Sequence, residues 1–150
     1  MRIALAEAQA AALRGETPVG AVVIDPVSGA VIARAGNAPI SGHDPTAHAE
    51  ILALRAAART IGNYRLTGLT LLVTLEPCAM CAGAISHARI SRLVFGAGDP
   101  KGGAVIHGPR FFDQPTCHWR PKVVGGVMAE EGAELLRTFF RERRKNTGKG

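Results

Sequence analysis

The sequence predicts a single α/β domain, a mixed five-stranded sheet flanked by helices, and three observations lead there. Apolar runs of strand length alternate with longer Ala- and Leu-rich stretches of helical period. A turn-rich pentapeptide joins the first two runs into a hairpin, and one helix separates the third and fourth, which requires a right-handed parallel crossover. At 150 residues, with 47% hydrophobic and 20% charged content, the chain is sized for one core spanning residues 1–150.

Residues 2–14 place Ile3, Ala4, Ala8, Ala11 and Ala12 near a helical period, and Gly15 suits a left-handed stop. Residues 19–24 read as a buried strand. Asp25-Pro26-Val27-Ser28-Gly29 carries turn chemistry, so residues 30–35 return as the second strand of an antiparallel hairpin. A loop over 37–46 leads into a helix over 48–61, entered after Asp44-Pro45-Thr46, with Ile51, Leu54 and Ala58 on one face and Gly62-Asn63 at its end. The unbroken apolar and β-branched run 69–75 is that of a central strand covered on both faces.

Glu76-Pro77 opens the next helix, with proline at the first helical position, where its missing N–H costs nothing. That helix is expected to reach about residue 88, and residues 91–97 make another short buried strand. The Gly- and Pro-rich stretch 98–121 reads as loop, residues 123–128 as a fifth strand, and 129–145 as an amphipathic helix turning Leu135, Leu136, Phe139 and Phe140 inward. A basic tail from about residue 146 is expected to fray.

Eighteen Lys and Arg against twelve Asp and Glu give a net charge of +6, which favours polyanionic partners such as nucleic acid. No stretch has the roughly 18 uninterrupted apolar residues of a membrane span, and the N-terminus lacks the pattern of a secretory signal, so a cytoplasmic protein is expected. Three cysteines are too few, and odd in number, for a disulfide framework. Cys78 and Cys81, three apart, ask for a metal or redox explanation.

His48-Ala49-Glu50 stands at one expected helix start and Pro77-Cys78-Ala79-Met80-Cys81 at another, and such starts converge at the carboxyl edge of an α/β sheet. Cys78 and Cys81 at i and i+3 point to one side of their helix, where the dipole favours thiolate. One imidazole and two thiolates leave a tetrahedral zinc ion one open position, the mark of a catalytic site. Glu50, two residues past His48, is close enough to move protons.

Histidine-x-glutamate followed by proline-cysteine-x-x-cysteine is the signature of zinc-dependent base deaminases. Around it, Thr17-Pro18-Val19-Gly20-Ala21-Val22, Asn37, His43 through Glu50, Asn63-Tyr64-Arg65-Leu66 and Thr74 through Cys78 are similar to the bacterial transfer-RNA adenosine deaminases of the cytidine/deoxycytidylate deaminase superfamily. So are Val94-Phe95-Gly96-Ala97, Asp99 and Phe139-Phe140-Arg141.

The resemblance implies a three-layer cytidine-deaminase-like fold, one zinc ion per chain held by His48, Cys78 and Cys81, and Glu50 as proton shuttle. It further implies hydrolytic conversion of the wobble adenosine of a tRNA anticodon stem-loop to inosine, by attack at C6. Asn37, the Ala49 backbone, Asp99 and Phe140 are the implied substrate contacts, and a homodimer is the implied assembly. The segment 101–108 departs from the family pattern, and Gly98 stands where some relatives have a larger side chain.

Other readings stand beside this one. A Cys-x-x-Cys pair at a helix start also suits thiol–disulfide exchange, although that chemistry has no use for His48 and Glu50. A zinc site serving only folding, in an RNA- or partner-binding module, needs a fourth protein donor, for which no convincing residue is found. A deaminase of the same fold acting on a free base, nucleoside or nucleotide of guanine or cytosine type shares the metal motif. Cys117 reads as a small buried hydrophobe, and His43, His87, His107 and His118 as structural or surface residues. Arg137, Arg141, Arg143, Arg144, Lys145 and Lys149 either grip phosphate, complement the helix dipole or form a solvated face.

Overall fold

In the computed structural model, which describes residues 1–148, the apolar runs form strands β1 (Gly20–Ile24), β2 (Val31–Gly36), β3 (Thr70–Leu75), β4 (Arg92–Ala97) and β5 (Lys122–Val124). The helical stretches form α1 (Arg2–Leu13), α2 (Ala49–Ile61), α3 (Ala79–His87) and α4 (Ala129–Thr147). The sheet order is β2-β1-β3-β4-β5, with β1 antiparallel to both β2 and β3, and β3, β4 and β5 mutually parallel. The expected mixed sheet with a central β3 is therefore borne out. The hairpin closes where the turn residues lie: Asp25 N–H donates to the Ala30 carbonyl at 2.9 Å, and Gly29 takes a φ of +75°, which glycine adopts without a Cβ penalty.

Strand alternation sends two kinds of residue to the two faces. Ala21, Val23, Leu71, Val73, Leu93 and Phe95 meet Ala49, Ala53, Leu54 and Ala57 of α2 and Ala82 and Ile85 of α3 in the main core. Each buried Leu, Ile or Phe in that layer contributes roughly 1.5–3 kcal/mol. The opposite face is built for close approach. A Cβ at Gly20 would overlap the Ala4 carbonyl of α1, whose Ala4, Ala8 and Ala11 are fully buried, and one at Gly132 of α4 would meet the Thr74 carbonyl. Small residues thus set α1 and α4 down on the strands and complete three layers, helix on sheet on helix.

Four expectations need correction. Pro77 is not the first residue of α3: Cys78 is the N-cap, so proline stands just outside the helix. The fifth strand ends at Val124, because Gly125 lies against the Phe95 ring and Gly126 turns the chain with a φ of +83°. On α4 only part of the expected face is inward: Leu136 packs on the core and Leu135 and Phe139 are half-buried, but Phe140 is 43% exposed. Finally, α4 runs through Asn146 to Thr147, past the expected start of fraying, while Lys149 and Gly150 lie outside the described residues. Among the described residues, no helix is long and apolar enough to cross a membrane.

The topology puts two helix starts together. His48 is the N-cap of α2 and Cys78 the N-cap of α3, both in extended backbone, and α3 starts at the C-terminal end of the central strand.

Candidate active site

An N-cap side chain sits at the positive end of its helix, beside unpaired N–H groups. His48 and Cys78 both occupy that position, and Cys81 lies one turn into α3. Their donor atoms all lie within 4.8 Å of one another, and His48 Nδ1 is 3.6 Å from Cys78 Sγ and 3.5 Å from Cys81 Sγ. Zinc bonds of about 2.0–2.1 Å to nitrogen and about 2.3 Å to sulfur, at a tetrahedral angle, require N···S separations of about 3.5–3.6 Å. The donor set fits zinc without rearrangement.

The charge balance of the cluster is uneven: one sulfur is held as thiolate and the other as thiol. Hydrogen bonds from Cys81 and His48 hold the Cys78 thiol down to about 4, deep in the thiolate range. The Cys81 thiol is pushed up, first by its bond to Cys78, then by burial and by the Glu50 charge. His48 is raised above an ordinary imidazole by its bond to the Cys78 sulfur. Glu50 is 4% exposed, and burial lifts its carboxyl above the usual carboxylate range.

Glu50 opens with His48 and Cys78 onto a cavity of about 350 Å³, which Thr17, Val19, Asn37, Pro39, Leu75, Glu76, Asp99 and Gly102 complete. Asn37 is brought there as the sequence predicts, held by its Oδ1, which accepts the Ala49 N–H at 2.8 Å. Its remaining amide donors are the free part of that side chain. Ala49 is fully buried and its N–H is spent on Asn37, so it meets the cavity only through that residue. Asp99 lines the cavity, but its Oδ1 also accepts the N–H groups of Lys101 and Gly102 at 3.1 and 3.0 Å. Phe140 lies outside, in an adjoining cavity of about 350 Å³ that shares Thr17, Leu75 and Asp99 with the first.

Sequence reasoning missed two side chains of this region. Glu76, beside the Cys78 ligand, accepts backbone N–H groups from Asp99, Val105, Ile106 and His107, and its Oε1 lies 2.6 Å from His107 Nδ1. Burial opposes its charge, but those bonds win and hold its carboxyl at about 2. The only forewarning was that 101–108 departs from the family pattern. Cys117 is buried as expected, with its sulfur 3.1 Å from the Trp119 carbonyl and away from the donor cluster. Of the basic terminus, Arg137 is engaged by Glu130 and Glu134, and Arg143 stacks on Phe139 at 5.1 Å.

A three-layer α/β domain whose two helix starts gather one imidazole and two sulfurs into a zinc-sized donor cluster, with His48, Cys78 and the buried Glu50 opening onto one cavity, is the architecture of a zinc enzyme. The model of the cytidine and deoxycytidylate deaminase zinc-binding region matches residues 1–97. A tRNA-specific adenosine deaminase of Agrobacterium fabrum is 56% identical over 144 residues, covering 96% of this chain and 93% of its own. A solved structure from work on A-to-I editing by tRNA:A34 deaminases at the wobble position of transfer RNA superposes with a TM-score of 0.88 at 55% identity, covering 91% of this chain and 97% of that one. A guanine deaminase from Nitrosomonas europaea superposes at 0.79 with 25% identity, covering 91% and 80%. The chain belongs to the cytidine and deoxycytidylate deaminase zinc-binding family, and one zinc ion per chain fits its His48, Cys78 and Cys81.

Proposed function

We propose that the chain deaminates the wobble adenosine of a tRNA anticodon loop, water and adenosine giving inosine and ammonia. What carries the reading is Glu50 sharing a cavity with the zinc donors His48 and Cys78 in a chain 56% identical, almost end to end, to a tRNA-specific adenosine deaminase. His48, Cys78 and Cys81 would hold zinc, which when bound supplies the Lewis acidity that brings a water pKa to about 7.

The chain's own residues do the rest. Glu50 accepts the proton of the attacking water, carries it to purine N1, and passes a proton to the departing amine. A positioned acid–base group of this kind is worth about 10²–10⁴-fold. Asn37, fixed through its Oδ1 to Ala49, offers its amide N–H to the nucleoside, so Ala49 acts by stiffening Asn37. Asp99 stands at the sugar side, and Phe140, in the adjoining cavity, offers an exposed ring to a neighbouring nucleotide. The adenosine must leave its stack to enter, and in a single-stranded loop that costs little.

The likeness to a guanine deaminase supports a second reading, turnover of a free base. Offering the chain an anticodon stem-loop with wobble adenosine beside free guanine, cytosine and cytidine separates the two. Inosine in the stem-loop and inert small molecules are expected; turnover of the small molecules with an untouched stem-loop would end the tRNA reading.

A homodimer follows the same reading. Its support here is the exposed apolar surface of α2, α3 and the segment between them, where Ile61 is 47%, Tyr64 65% and Met80 38% exposed. Sedimentation should give twice the mass of the 15.7 kDa chain, and a stable monomer would contradict it. On the tRNA reading the protein is expected in the cytoplasm, which fractionation of cells checks; recovery outside that fraction contradicts it.

A further inference from the structure

Besides Glu50, two carboxylates among the described residues are almost wholly buried: Glu16 and Glu76, 1% and 2% exposed. An isolated buried carboxylate is strongly disfavoured, so each must be answered by donors. In both cases the donors are backbone N–H groups of a loop, and in both cases that loop is a wall of the catalytic cavity.

Glu16 lies just past α1 and accepts the N–H groups of Ser41 at 2.8 Å and Ile40 at 3.3 Å. Those residues belong to the loop that carries Asn37 and Pro39 on the cavity wall and delivers the chain to His48. Glu76 accepts Asp99 N–H at 2.9 Å, Val105 and Ile106 N–H at 3.0 Å each and His107 N–H at 3.1 Å, with His107 Nδ1 closing the set. This second loop carries Asp99 and Gly102, which line the same cavity. It lies so close that a Cβ at Gly103 would overlap the Glu76 carboxylate, and Ala104 N–H donates to the Pro77 carbonyl at 2.9 Å. One wall is thereby tied to the residues directly before the Cys78 ligand.

We propose that Glu16 and Glu76 are positioning residues for the deamination, each anchoring one cavity-lining loop so that Asn37 on the first and Asp99 and Gly102 on the second meet the substrate already in place. The proposal rests on the functional reading above. A carboxylate suits this task better than any neutral side chain. It is acceptor-only, with about four lone-pair sites, and its bonds to N–H groups are roughly twice as strong as neutral ones. An amide in the same place has one acceptor oxygen and turns its NH₂ toward N–H donors. Loops fixed in the free enzyme also spare the substrate the entropy cost of ordering them, so their loosening appears in substrate binding first. Glu16 does not line the cavity, and Glu76, which does, already accepts the N–H groups of Asp99, Val105, Ile106 and His107 on its two oxygens.

The test compares the zinc-loaded full chain with Glu16→Gln, Glu76→Gln and His107→Ala, measuring zinc per chain, kcat and KM for inosine formation in an anticodon stem-loop. Expected are undiminished zinc, KM raised about tenfold in the two Gln variants and about threefold in His107→Ala, and kcat within about threefold of wild type. Zinc-loaded variants with the wild-type KM, or with kcat alone reduced, overturn the proposal. Should Glu76→Gln fail to fold, His107→Ala decides, since that side chain is 35% exposed and leaves no cavity in the core: an unchanged KM overturns the proposal for the Glu76 loop. Should Glu16→Gln fail to fold, Glu16→Asp, which keeps the charge but draws the carboxylate back from the Ile40 and Ser41 N–H groups, takes its place, and an unchanged KM overturns the proposal for that loop. A wild-type chain that forms no inosine contradicts the functional reading and the proposal with it, whereas an active wild type with indifferent variants contradicts the proposal alone.

Discussion

Glu50→Gln is expected to lower kcat for inosine formation by at least about 10²–10⁴-fold while leaving zinc and folding intact. The amide keeps the shape of the side chain in its buried place at the start of α2 but cannot accept the proton of the attacking water. Two measurements check this together: single-turnover rates with the stem-loop, and metal content of the same preparation. A variant with normal zinc and wild-type kcat would remove Glu50 from the chemistry. Loss of zinc together with activity would show instead that Glu50 supports the donor cluster. The two outcomes differ because Glu50 follows His48 by two residues but is not one of the three grouped donors.

The second large effect concerns those donors. Cys81→Ser is expected to cost the chain most of its zinc, and activity should fall by more than the roughly 10–100-fold that loss of an outer partner of a metal site brings. Cys81 is fully buried against His48 and Cys78, so the hard hydroxyl oxygen replaces sulfur at a place with no room for rearrangement. Zinc added back should restore Glu50→Gln to full occupancy but not Cys81→Ser, as titration with a colorimetric chelator would read. Equal zinc retention by the two variants would take Cys81 out of the site. Cys117 serves as the control. Its sulfur bonds to the Trp119 carbonyl, and Cys117→Ser should leave metal content unchanged.

The donor cluster was legible in the sequence because its constraints are local. A Cys-x-x-Cys at a helix start can only turn both sulfurs to one side, and His48 reaches them because both helices start at one edge of the sheet. The central strand was legible for a similar reason, since residues covered on both faces are apolar or β-branched throughout. The loop after Asp99 was not legible. Its order comes from backbone N–H groups converging on one buried carboxylate, and N–H groups leave no trace in side-chain identity. Phe140 misled in the opposite direction. A helical period assigns Phe139 and Phe140 alike to the apolar stripe, but among the described helices and strands α4 packs on β3, β4 and α1, and this seat leaves the Phe140 ring 43% exposed. The end of β5 was hidden by its glycines, which look like strand interruptions only once the Phe95 ring is seen beneath Gly125.

Zinc X-ray absorption on the loaded chain tests the central claim most directly. Two sulfur scatterers at about 2.3 Å and two lighter nitrogen or oxygen scatterers at about 2.0–2.1 Å are expected, one of the lighter pair being imidazole and the other exchangeable solvent. A third sulfur, or a second imidazole in place of solvent, would mean a closed structural site and would contradict the account.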